Sequence, residues 1–164
     1  MKIRDEHLYH GAALTQIAEH PQFTAINGVR TNGTLHRSAF RVNDSIGIYL
    51  KYASKPTPTN KEYVFTFTQE HLDDLSSLTS TFPTLYLGLV CVKDGEICAL
   101  SYSELSAMIQ ERRKLIAGEE SYTVLVTAQK GKSLRAYMNI PGKKGVTLEQ
   151  RTISRKAFPE ILFE

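Results

Sequence analysis

Cysteine is scarce in this chain: two residues of 164, Cys91 and Cys98. Two thiols are too few to staple a small secreted fold, and their separation is not the C-x-x-C spacing of a structural zinc site. The pair is expected to be reduced and buried. Long apolar runs are also missing. No segment approaches the roughly 20 apolar residues of a membrane span, and the opening MKIRDEHLYHG lacks the apolar stretch of a secretory signal. The expectation is a cytoplasmic protein with no membrane partner. Neither internal repeats nor low-complexity tracts occur.

What is present is enough for one core. At 164 residues and 41% hydrophobic composition, the chain fits a single domain, 1–164. Its net charge of +3 is unevenly spread. Residues 1–111 hold nine Lys/Arg against twelve Asp/Glu, whereas residues 112–164 hold eleven against five. We therefore divide the domain into a core, 6–117, and a basic C-terminal extension, 118–164. Clustered cations suit a polyanion, although such imbalances are also common on ordinary solvated surface.

Periodicity and punctuation outline the elements. Residues 6–19 read as a helix with Leu8, Ala12, Leu14, Ile17 and Ala18 on one face. INGVRTNG reads as turns. Extended runs at 35–42 and 45–53 flank Asn43-Asp44, a pair suited to a tight hairpin, with Ile46, Ile48, Leu50 and Tyr52 toward the core. EYVFTFT, rich in aromatic and β-branched residues, predicts a central strand. Thr68 caps the next helix, whose Leu72, Leu75 and Leu78 keep helical spacing. Asp94-Gly95 marks a second hairpin that sets Cys91 opposite Cys98, and Ser101 with Glu104 forms a capping box for a helix ending near Ile116. Strands are expected at 122–129 and 133–140.

Pairing across a two-residue Asn43-Asp44 loop would place His36, Ser38, Tyr49 and Lys51 on one face of the hairpin. An imidazole, a hydroxyl, a phenol and an ammonium could then reach one phosphate or carboxylate. The same face could equally be the wet side of an edge hairpin.

The order helix, three strands, helix, strand, with Asp44 at a hairpin turn and Lys51 on the following strand, resembles the PD-(D/E)XK nuclease superfamily over about residues 6–101. The resemblance implies an α+β fold: a mixed, largely antiparallel sheet flanked by helices, with a restriction-endonuclease-like αβββαβ core and added C-terminal strands. It also implies Mg²⁺, a duplex DNA substrate and phosphodiester hydrolysis. In that family an acid at the hairpin and a second acid two residues before a lysine hold the metal, and some members add a helix acid. Carried over, Asp44 is the first metal ligand, Lys51 the lysine and Glu19 the helix acid. Tyr49 stands where the second acid belongs, so Glu62, at the start of the neighbouring strand, is the candidate second ligand. Each residue also has an ordinary reading: Asp44 as a turn residue, Lys51 as a surface lysine, Glu19 as a solvated helix position about 200° from Ile17.

The expected nucleic-acid contacts are His36 with Arg112, Arg113, Lys114, Lys130, Lys132, Arg135, Lys143 and Lys144, which fall largely at turns and helix ends. Aromatic interleaving is thin, which favours duplex over single-strand stacking. Two alternatives remain at this point. One is a non-catalytic binding or assembly protein that retains a nuclease-like fold. The other is a homodimer in which strands 63–68 and 85–92 pair across subunits.

Overall fold

A computed structural model describes all residues, 1–164. Helix α1 spans Asp5–Ala18, followed by strands β1 (Ile26–Thr31), β2 (Thr34–Val42), β3 (Ile46–Ala53) and β4 (Glu62–Thr68). Then come α2 (Gln69–Thr79), β5 (Thr84–Cys91), β6 (Glu96–Ser101) and α3 (Tyr102–Leu115), and finally β7 (Ser121–Thr127), β8 (Leu134–Ile140) and β9 (Lys143–Ile153). The fold class is α+β, as expected, with a mixed sheet and an antiparallel one. Sheet A has the order β1-β2-β3-β5-β6, and sheet B the order β4-β7-β8-β9. Only β3 and β5 pair in parallel.

Caps and turns explain most element boundaries. The Thr68 hydroxyl accepts from the His71 N–H, and the Ser101 hydroxyl from the Glu104 N–H, while each third residue reaches back to the cap. Asn32 and Gly33 both have positive φ, 52° and 79°. That is the geometry of a two-residue hairpin turn, so INGVRTNG is strand β1 plus its turn rather than turns alone. The first pair, Asn27-Gly28, lies inside β1.

The main core lies between one face of sheet A and a layer formed by sheet B, α2 and α3. Tyr49, Leu87, Leu89, Cys98 and Leu100 meet Tyr63, Phe65, Phe67, Val124 and Val126 there, with Leu75, Leu105 and Met108 from the helices. A smaller core covers the opposite face of sheet A, where Ile48, Leu50, Val90 and Ala99 pack against Ala13 and Ile17 of α1 and against Phe158 and Leu162. Both faces of β3 are therefore buried, not only the Ile48/Leu50 face.

Several expectations need correction. Helix α1 buries His10, Ala13 and Ile17, whereas Leu8 is exposed. EYVFTFT is an edge strand, β4, paired with β7 and not with β3. It is thus absent from the sheet that holds the hairpin, and the segment 118–164 supplies three of the four strands of sheet B. Cys91 lies opposite Glu96 and Cys98 opposite Leu89, so the thiols are diagonal neighbours on one face. Strand β5 has β3 and β6 on its two sides, which leaves no edge for pairing with another subunit. No helix is long and apolar enough to cross a membrane.

Candidate functional site

The Asn43-Asp44 hairpin decides what the polar face contains. Val42 pairs with Ile46 and Ala39 with Tyr49, so the loop holds three residues, Asn43 to Ser45, and the register is one residue away from that of a two-residue loop. A one-residue slip exchanges the faces of a strand. Ala39, not Ser38, therefore stands opposite Tyr49. Strand β2 also bulges: Gly28 pairs with Phe40 but Arg30 with Leu35, so residues 36–39 stand against Val29 alone. Bulges re-aim side chains. This one carries His36, Arg37 and Ser38 out of the regular ladder, and it returns His36 to the α2 side, where its Nε2 lies 3.3 Å from Asp74 Oδ2 and its ring meets Tyr49 edge-on.

Lys51 is half-buried on the same side. Its ammonium lies 3.3 Å from His71 Nδ1 and 5.0 Å from the centre of the Phe67 ring. His71 Nδ1 also accepts the Thr68 N–H at 3.2 Å, which places the ring proton on Nε2 and makes the imidazole neutral. Burial lowers the Lys51 pKa. Burial, and then the Lys51 charge, lowers that of His71. Tyr49 moves the other way: burial first, then the Asp74 and Glu70 carboxylates, push it up to about 12. A phenol so raised stays protonated and is no anionic metal ligand.

The proposed metal ligands do not come together. Asp44 is exposed in the hairpin turn, seven residues before Lys51, which along an extended strand is roughly 20 Å. Glu62 is at the start of β4 while Lys51 touches Phe67 near its end, a separation of roughly 15 Å along that strand. The Glu62 carboxylate accepts from the Tyr137 hydroxyl on β8. Glu19 is exposed at the C-terminal end of α1. No group of three or more His, Cys, Asp or Glu side chains is disposed to hold a metal ion. Magnesium ligated by Asp44 and Glu62 would need both carboxylates at about 2 Å, so these residues do not fit the group.

The basic residues separate into two ends of sheet B. At one end α3 is fastened down. Arg112 makes a two-pronged pair with Glu119, 2.8 and 3.0 Å, and donates to the Asn139 carbonyl. The Arg113 Nε donates to the Tyr122 hydroxyl at 3.1 Å, and Lys114 pairs with Glu111 at 2.7 Å. Arg112 and Arg113 hold the end of the helix to the residues around it, whereas Lys114 pairs only within the helix and its side chain is 70% exposed. Lys143 and Lys144 are exposed at the β8–β9 turn nearby.

The other end, a β8 length of roughly 20 Å away, holds a crevice of about 660 Å³ lined by Lys130, Lys132, Ser133, Arg155, Lys156 and Asp94, among others. Arg155 braces it. Its Nε donates to the Lys132 carbonyl and its Nη2 to the Gln129 carbonyl, both at 2.7 Å, while Nη1 pairs with Glu96 at 3.0 Å. Tyr63 donates to Asp94 at 2.5 Å from below. Lys130, Lys132 and Lys156 are exposed and form no ion pair. Arg135 lies one layer in, against the Ser133 carbonyl.

Sequence reasoning picked out Lys130 and Lys132 but missed Lys156, Arg155, His10, His71 and Asp74. His10 was detectable, since it falls at i−3 and i−7 from Ala13 and Ile17. Arg155 was not, because nothing local indicates that it folds back on the β7–β8 turn. Compared with protein-family models, with curated proteins and with solved structures, the chain matches none.

Proposed function

We propose that this protein binds the phosphate backbone of duplex nucleic acid without cutting it, through the crevice formed by the β7–β8 turn and the segment after β9. The carrying observation is the convergence of Lys130, Lys132 and Lys156, unpaired, on one concave surface whose fourth cation, Arg155, is spent on holding the turn. The crevice lining contains no aromatic side chain. Base stacking is thus unsupported, and backbone contact that ignores sequence is the matching mode. Hydrolysis has no support in the positions of Asp44 and Glu62, each far from Lys51, or in any cluster of three acidic, histidine or cysteine side chains.

The test is fluorescence anisotropy of a labelled 20-base-pair duplex against salt. Three neutralised phosphates give a slope of log Kd on log salt near 2.7, about a 40-fold loss between 50 and 200 mM. Replacing Lys130, Lys132 and Lys156 together by Gln should abolish that dependence, and the duplex should stay intact with Mg²⁺ or Mn²⁺. Undiminished binding by the triple variant, or no binding at 50 mM salt, overturns the reading.

A further inference from the structure

Two concave spaces share a wall where α1 crosses β2 and β3. The first, about 350 Å³, occupies the fork where β2 leaves β3 and opens on the unpaired edge of β3, so it is lined by Glu6, His10, Arg37 and Ser38 and also by Lys51, whose ammonium lies toward the α2 side. The second, about 320 Å³, runs between α1 and the bulged part of β2, where Leu14, Leu35 and Phe40 supply an apolar wall. Glu6, His10 and Arg37 line both spaces. Together they make one cleft, polar at the fork and apolar beyond it. Each half already lies at the lower end of small-molecule pockets, roughly 300–1,000 Å³.

Three observations point to a ligand. His10 is 6% exposed, and its Nδ1 has no hydrogen-bond partner. Buried polar atoms are rarely left so, because the lost solvation is not recovered. Lys51 is half-buried with no carboxylate beside its ammonium, only the neutral His71 ring and the Phe67 face. A partly desolvated cation without a counter-charge invites an anion. Finally, the β2–β3 ladder stops at Ala39 and Tyr49, while β3 runs on to Ala53 paired with β5 alone. Main-chain groups of β3 therefore face the fork without a strand partner. Arg37 adds an exposed charge: its side chain is 72% exposed and only loosely paired, 3.9 Å from Glu6.

We propose that this cleft binds a small organic anion, a carboxylate or phosphate on an apolar body, with the head group at Lys51, Arg37 and Ser38, a polar atom at His10, and the body against Leu14, Leu35 and Phe40. The site shares no residue with the basic crevice, so it stands or falls independently of nucleic-acid binding.

The test is amide and imidazole NMR of the full chain titrated with 4-phenylbutyrate and with phenyl phosphate. Acetate and inorganic phosphate serve as controls without the body, and 4-phenylbutanol as the control without the head. At least one aromatic anion should saturate and shift Ser38, Lys51 and the His10 ring, and the tighter of the two identifies the head group. All three controls should bind at least about tenfold more weakly, the effect of roughly one charge-assisted contact or its apolar equivalent. Lys51→Met should weaken the anions about tenfold and leave the alcohol unchanged. Gly11→Leu keeps the test decisive if Lys51→Met disturbs folding. A Cβ at Gly11 meets nothing within 4 Å, and Gly11 lines the apolar chamber. Leu there favours the helix while filling the chamber, so it should block both anions. No saturable shift with either anion, equal binding by the alcohol, or unchanged binding in Gly11→Leu overturns the proposal.

Discussion

Replacing Arg155 by Lys separates charge from geometry in the basic crevice. The net charge is kept, but a planar fork that reaches three acceptors becomes a single ammonium on a flexible stem. Arg155 donates to the Lys132 and Gln129 carbonyls at 2.7 Å each and to Glu96 at 3.0 Å. Net contributions are about 1–1.5 kcal/mol for each carbonyl bond and at most about 1 kcal/mol for the half-exposed ion pair, and lysine recovers one of the three. The expected loss is therefore about 1.5–3 kcal/mol. With a urea m-value near 2 kcal/mol/M for a chain of this size, the midpoint should fall by about 1 M. Hydrogen exchange should show residues 129–133 opening faster than β4 and β7, because the brace acts on the turn and not on the ladder. Duplex binding should weaken although no charge is lost, since Lys130 and Lys132 would no longer be held in place. A midpoint within about 0.2 M of wild type would mean that the three contacts do not act together, and the account of the crevice as a braced turn would be refuted.

Other expectations follow from packing and titration. Gly47→Ala and Gly88→Ala should each destabilise by about 1–3 kcal/mol in urea unfolding, because the new Cβ would lie 2.7 Å from Phe82 Cγ and from Leu50 Cδ2, respectively. Burial lowers the pKa of His10 and of His71 below 6.5. The unfolded chain then binds more protons than the folded one, so stability should fall as pH drops below about 6.5, and His10→Leu should flatten that fall in melts between pH 7.5 and 5. Burial pushes the Cys91 thiol up to about 12 and raises Cys98 as well. Neither should react with a disulfide reagent in the native protein, while both should react in 6 M guanidinium; prompt native labelling would contradict their burial. Tyr63→Phe should cost about 1–2 kcal/mol by releasing Asp94, measured in the same urea assay.

Elements with local signals were legible in the sequence. The Thr68 and Ser101 capping boxes, the Leu72/Leu75/Leu78 stripe and the Asp94-Gly95 hairpin depend on neighbours a few residues apart, and all are present. The assignment of strands to sheets was not legible. EYVFTFT carries the same composition whether it pairs with β3 or with β7, and only tertiary packing decides between them. The site suffered from a smaller ambiguity with larger consequences. A three-residue loop instead of two exchanged the faces of β2 relative to β3, and the bulge at 36–39 then returned His36 but not Ser38 to the Tyr49 side. Charge asymmetry correctly marked a basic C-terminal third, yet it did not show that Arg112, Arg113 and Lys114 were already bonded. Ion pairs between residues distant in sequence leave no local pattern.

The chain crosses between the sheets in an order that governs how it can fold. It leaves sheet A after β3, lays down β4 in sheet B, returns through α2 for β5 and β6, and only then supplies the partner of β4, with Glu62 waiting for Thr127. A ribosome-bound chain that has emerged only to α3 therefore holds every strand of sheet A but a solitary β4, which still lacks its one hydrogen-bonding neighbour, β7. Contacts of such sequence separation form late and slowly. Folding should be a single slow event that awaits the last third of the chain, and the interval before it is when this protein is most exposed to aggregation.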